Sequence, residues 1–346
     1  MSPTYATGWR ETVAPDEPER FARLGQVLAT VQANSNALYG ERARAVHREG
    51  HAGAFGEVAI RADLAEVLHP DLHVGPFLPG ARWGCYARFS NGSLGRVRKD
   101  EPDVRGFALK LLGVPGNKLI GDAETVDFLF NQTPRTAIRT PEEFVTLIAC
   151  AAPGGALATA WRFTQAVGLA RAFVILKGFS TSTSARFSGF PASHFWSMLP
   201  FKLGPAAARF SLAPEVADGV VPASIRGDLA TRLREGASWR IRVQLWSDPV
   251  ETPIEDPTVD WPSPWVDVGT LSIPRTDLQS ASGLAVSASV ERLAFDPWHA
   301  VEEMRPLGAM NRARKAVYFA ASAKNRDLWP ENDVLPPPSP TDAGGF

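Results

Sequence analysis

Apolar positions along the 346-residue chain change their period twice, and the changes divide it into regions. Between residues 16 and 38, Phe21, Leu24, Val27, Leu28 and Val31 recur every three or four positions. That spacing predicts one amphipathic helix, part of an N-terminal arm over residues 1–40 laid on a larger body. After the Gly-rich segment His51–Gly56 the period shortens, and Val58–Ile60, Trp83–Ser90, Arg105–Leu112 and Thr125–Asn131 read as strands, each bounded by Gly, Pro, Asn or Asp. Residues 141–178 return to a helical pattern. Strands then resume with Trp239–Trp246, where apolar and polar residues alternate, and continue through Val266–Ile273 and Ser287–Leu293.

Two groups of short strands around a helical insertion predict an α+β fold, a closed antiparallel barrel of about eight strands decorated by α-helices. The expected organisation is one domain. The barrel occupies 41–300 with the insertion near 141–178, a helical segment follows over 301–328 with its helix at Gly308–Lys324, and a Pro-rich tail covers 329–346.

Charge changes little in this picture. A net charge of −1 with 21% charged residues gives nucleic acid no electrostatic foothold. Two cysteines, Cys85 and Cys150, make no disulfide framework, and the first twenty residues lack both a basic start and an apolar run, so the expected location is cytoplasmic. The most apolar stretch, Ala151–Phe179, is interrupted by Arg162, Gln165, Arg171 and Lys177. It is too polar to span a bilayer, which leaves peripheral lipid contact, a homodimer interface or pocket lining as its roles.

Candidate chemistry begins near the end of the chain. Arg314 and Tyr318 are four apart and share a helix face, and a fixed cation beside a phenol lowers its pKa. A phenolate is a hard ligand for ferric iron, and tyrosine serves as an axial haem ligand. Four further segments stand in order: Arg44-Ala-Val-His47 with Gly53–Gly56; Arg88-Phe-Ser90 with Asp103–Lys110; Asn131-Gln-Thr-Pro134 running to Arg139 and Phe144; and Glu291–Pro297 leading to Arg314 and Tyr318. In order and spacing the set resembles the haem-site segments of catalases, with one extra residue around His51, and Asp256–Pro262 is similar to the catalase turn ending in Trp-Pro.

The resemblance implies a haem b enzyme. His47 would be the distal base, held by Ser90, and Asn131 would hydrogen-bond the peroxide. Arg44, Val46, Arg88, Phe144 and Arg314 would border the cofactor, and Tyr318 would ligate the iron. Histidine suits a proton shuttle between peroxide oxygens, and guanidinium suits carboxylate recognition. Arg88 and Ser90, two apart on a strand, point to one face. The chain is shorter than an ordinary catalase, and Thr136 and Ala137 stand where the family places aromatic channel residues, which implies a wider approach to the iron.

The resulting expectation is a hydroperoxidase acting on hydrogen peroxide or organic hydroperoxides through a ferryl intermediate, with an organic reductant and weak catalase activity. A haem-dependent isomerase or oxidase of a lipid hydroperoxide, as in allene oxide synthases, and a haem carrier or sensor are the alternatives. Val46 matches catalases, whereas the synthases resemble Thr there. His47 and His51 are also four apart, as in a helical metal pair, but His-Arg-Glu-Gly-His lacks the zincin order and Gly50 is a poor helix former. His51 competes with His47 for the distal role. Cys85 and the tryptophans Trp239, Trp246 and Trp261 read as packing, and Arg105 and Arg139 as structural pairs.

Overall fold

Alternation of large apolar side chains with small or polar ones closes the sheet. The computed structural model describes residues 3–92, 100–151 and 155–318, without the side chain of Tyr318. Its strands are β1 (Gly50–Ile60), β2 (Arg82–Asn91), β3 (Arg105–Leu112), β4 (Thr125–Asn131), β5 (Phe195–Trp196), β6 (Phe201–Leu203), β7 (Ala206–Pro214), β8 (Ala237–Leu245) and β9 (Trp265–Ile273). All pair antiparallel, in the order β5-β4-β3-β2-β1-β9-β8-β7-β6, and a further β5–β7 pairing closes eight of them into a barrel with β6 as a hairpin outside the ring. This is the expected α+β barrel. Phe89, Phe107, Phe128, Phe210 and Trp239 fill its interior, with Trp239 edge-on to Phe107 at 5.1 Å between ring centroids.

Seven α-helices surround the barrel among the described residues: α1 (Glu17–Tyr39), α2 (Pro141–Ala151), α3 (Ala156–Val167), α4 (Leu169–Thr183), α5 (Ile225–Leu233), α6 (Ala281–Arg292) and α7 (Ala309–Tyr318). None of the described helices is long and apolar enough to cross a membrane. In α1 the buried stripe runs through Phe21, Gly25, Leu28, Gln32 and Ser35, while Val27 is 40% exposed. The rest of the helix expected to Lys324, and the Pro-rich tail, lie outside the described residues.

Two sequence expectations change. Ser287–Leu293 is not a strand: it belongs to α6 and the residue after it. Val286, Val290 and Leu293 recur at helical spacing against the outer barrel wall, and the Ser280 hydroxyl caps the start by accepting from the Gly283 amide at 3.1 Å. The Gly-rich segment is itself part of β1, because α6 needs small residues there. A Cβ on Gly53 would fall 2.4 Å from that of Val290, and the Ser287 hydroxyl bonds both the amide and the carbonyl of Gly53. Strands β5 to β7 and helix α5 went unassigned from the sequence.

Two polar anchors hold the elements that follow α6. Lys110 and Asp127, opposite each other on β3 and β4, are fully buried on the outer wall, with Nζ 2.9 Å from both carboxylate oxygens. Asp127 also accepts from the Asp296 amide and from His299 Nδ1 at 2.8 Å, which pins the Asp296–His299 turn to the barrel. Burial pushes the Asp296 carboxyl up to about 6. The second anchor is Arg312 on α7, which meets three carboxylates: Glu11 and Glu17 from the N-terminal arm and Glu255, at 2.6–3.0 Å.

Candidate functional site

Antiparallel pairing lines up one row of residues across the outer wall: Gly50, Ser90, Gly106, Asn131 and Trp196. Side chains of paired residues share a face, so Ser90 and Asn131 flank the bare Cα of Gly106. The His47 imidazole occupies that gap. A Cβ on Gly106 would lie 2.5 Å from both Cε1 and Nδ1 of His47 and 2.9 Å from Ser90 Oγ. Glycine at 106 is therefore the seat of the ring, a role the sequence motif contained without announcing.

The loop carrying His47 is bent to reach this seat. His47 has φ +52, in the left-handed region that costs a non-glycine residue about 1–2 kcal/mol. Its amide donates to the Gly92 carbonyl at 3.3 Å, and its Nδ1 lies 3.1 Å from Ser90 Oγ, the expected contact. Ser90 Oγ also lies 3.5 Å from the Gly106 carbonyl; a hydroxyl turned to that carbonyl would take Nδ1–H as its donor and leave the lone pair on Nε2. Burial, followed by the charges of Arg88, Arg314 and Arg44, pushes the His47 pKa down to about 3. The ring is thus a neutral base at ordinary pH.

His51 is elsewhere. The pairing of β1 with β2 slips between Gly50 and Ala52, so the extra residue noticed in the sequence is taken up as a β-bulge at His51. Its ring is buried edge-on to Phe190, which belongs to the barrel core, with Nε2 at 2.7 Å from Asn91 Oδ1. His47 lies in a loop and His51 on a strand, so they form no helical metal pair, and no cluster of three His, Cys, Asp or Glu suited to a metal occurs among the described residues.

The guanidiniums expected to meet a cofactor do converge. Arg44 and Arg88 both bond the Glu291 carboxylate, Arg44 at 2.5 Å and Arg88 at 2.9 Å, and they also reach the Leu293 and His47 carbonyls. Glu291 was quoted from the sequence only as part of a motif, and here it is the carboxylate the two arginines share. Arg314 reaches Asn311 Oδ1 at 3.3 Å and adds its charge to the field at His47. Val46 is partly buried. Phe144, on α2, packs in the cluster that joins Leu28, Ala45 and Val317, which brings α1, the distal loop and α7 together. Tyr318 ends α7, and its phenol, the expected metal ligand, lies outside the described residues.

Asn131 is oriented by its neighbours: its Oδ1 accepts from the Thr133 amide at 3.0 Å and hydroxyl at 3.1 Å, and Nδ2 faces Met198 Sδ at 3.1 Å. Met198, also at positive φ, was not foreseen. Ala137 is half-buried against helix α4, where a Cβ on Gly178 would fall 2.3 Å from its own. Arg105 pairs with Asn91 and Arg139 with Asp256, Cys85 is buried with its thiol pushed up, and Trp239, Trp246 and Trp261 are buried, as expected.

No protein-family model matches the chain, and no curated protein sequence matches it. Solved structures do. Catalase A from Saccharomyces cerevisiae superposes with a TM-score of 0.62 at 20% identity, covering 83% of this chain and 62% of the other. The fold is catalase-like. A fungal catalase gives 0.62 at 20% identity over 95% of this chain and 68% of its own, and a bacterial catalase gives 0.61 at 19% over 96% and 66%. The chain thus spans 62% to 68% of the length of these catalases.

The Gly106 seat makes one prediction immediate. In Gly106→Ala the imidazole must move off its seat beside Ser90, so the NMR resonances of the His47 ring are expected to shift. Unshifted resonances would show that the ring does not sit over Gly106.

Proposed function

We propose that the chain binds haem b beside His47 and reduces hydrogen peroxide or small organic hydroperoxides with an organic electron donor. The observation that carries this reading is a neutral imidazole seated on Gly106 between Ser90 and Asn131, within the field of three guanidiniums. The donor set suits the cofactor. Arg44 and Arg88 already grip one carboxylate jointly, the chemistry a haem propionate asks for, and Arg314 adds a third cation. Tyr318, at the end of α7, would supply an oxygen ligand. The bound haem iron would supply the redox chemistry that cleaves the O–O bond.

The residues of the chain handle protons and position. His47 Nε2 accepts the proton from the attacking peroxide oxygen and returns it to the leaving oxygen. Ser90, 3.1 Å from Nδ1, would hold the ring in the orientation this needs. Asn131 has one amide hydrogen turned to Met198 and a second free for the peroxide, and being uncharged it does not compete for the proton. Overall, ROOH takes two electrons and two protons to give ROH and water, the electrons coming from the donor.

Because the His47 pKa is lowered, its proton-accepting form is present at neutral pH and is lost only as pH falls through about 3. The second-order rate with hydrogen peroxide is therefore expected to stay level from about pH 5 to pH 9, where an unshifted histidine would titrate near 6.5. A rate that halves near pH 6.5 would remove the assigned role. The cofactor reading is tested by adding hemin to the purified chain: a Soret band that shifts in Tyr318→Phe, with donor-dependent peroxide turnover, is the expected result. Failure to take up hemin, or an identical spectrum in the variant, would overturn it.

A further inference from the structure

Helices α3 and α4 present an apolar face to solvent. Leu157 and Trp161 stand one turn apart on α3, and Leu169, Phe173 and Val174 stand on α4, with exposures of 50% to 88%. The opposite faces hold Phe163, Ala172 and Ile175, fully buried. These helices are apolar on both sides. The exposed Trp and Phe side chains among the described residues, Trp161, Phe173 and Phe179, all belong to this pair. Large apolar side chains exposed together on one helix pair mark an interaction surface.

Charge points to what covers it. Helices α3 and α4 carry no acidic residue, and their cations are Arg162, which reaches the Cys150 carbonyl, Arg171 and Lys177. Arg171 is tied to Glu143, but Lys177 is exposed on α4 with its ammonium 5.9 Å from the Phe173 ring centroid. An apolar, aromatic-bearing helix face with an exposed lysine beside its phenylalanine, and no carboxylate on either helix, matches the boundary between headgroups and acyl chains of an anionic bilayer. A protein partner of ordinary composition would present both charge signs to such a face, and nothing on these helices answers a cation.

We infer that α3 and α4 form a docking element that rests on an anionic phospholipid surface, with Trp161 and Phe173 inserted at the interface. The element is coupled to the candidate site. Gly178 packs directly on Ala137, and the Gln132 amide, next to Asn131, donates to the Ser182 carbonyl at 2.9 Å.

The test is co-sedimentation of the full chain with vesicles of phosphatidylcholine alone or mixed with phosphatidylglycerol. Binding to the mixed vesicles is expected, reduced as salt is raised to about 1 M. The double variant Trp161→Ser, Phe173→Ser alters only exposed side chains and should keep the melting curve while losing at least about tenfold in bound fraction. Lys177→Glu should weaken binding to the anionic vesicles selectively. Absence of vesicle binding, or equal binding by the double variant, overturns the inference. So does a dimer that the double variant splits into monomers without any lipid effect, which would assign the face to a second copy of the chain. Because the assay uses neither hemin nor peroxide, its outcome is independent of the haem reading.

Discussion

Alanine at position 47 is expected to slow the reaction of hemin-loaded protein with hydrogen peroxide by about 10²–10⁴-fold, the usual loss when a positioned acid–base group is removed. The ring is the neutral base beside Ser90 and Asn131, kept unprotonated by burial and then by the charges of Arg88, Arg314 and Arg44. His51→Gln should leave the rate within a few-fold, since His51 points toward the barrel core. Stopped-flow measurement separates the two, and a slow His51→Gln beside a fast His47→Ala would reverse the assignment. Stability adds an independent check. Both His47→Ala and His47→Gly lack the imidazole, yet at φ +52 glycine should be the more stable by about 1 kcal/mol in chemical denaturation.

Lys110→Met is expected to cost about 3–5 kcal/mol of stability, because it leaves the Asp127 carboxylate buried without its cation. Both partners have no solvent exposure, so water cannot take over the lost bonds. For a chain of this size the melting temperature should drop by roughly 5 °C. Pairing the change with Asp127→Leu removes the stranded charge and should recover much of the loss, although the Asp296 amide and His299 then lose an acceptor. A single variant that melts within about 2 °C of the parent would mean that the pair contributes little.

The barrel was legible where strand alternation was strong, as in Arg105–Leu112 and Trp239–Trp246, because a wall with one face in the core needs that pattern. Ser287–Leu293 misled because Ser-Ala-Ser-Val alternates polar and small apolar residues, while Val286, Val290 and Leu293 satisfy the helical period equally well. Long-range packing against Gly53 decided between them. At the site, His47, Ser90, Asn131, Arg44 and Arg88 come together as their motifs implied. What the sequence left open was set by tertiary geometry. The residue in excess near His51 became a bulge, and the small side chain at Ala137 lets helix α4 pass close to it. The Gly106 seat is visible only once three strands are in register.

The three carboxylates gathered by Arg312 carry a consequence for the order in which the molecule assembles. Glu11 and Glu17 leave the ribosome some three hundred residues before the guanidinium that joins them. They must wait, screened only by water and by local neighbours, until the final helix emerges. Any site that borrows Arg314 or Tyr318 from that helix is therefore completed only after every strand of the barrel it rests on has been made.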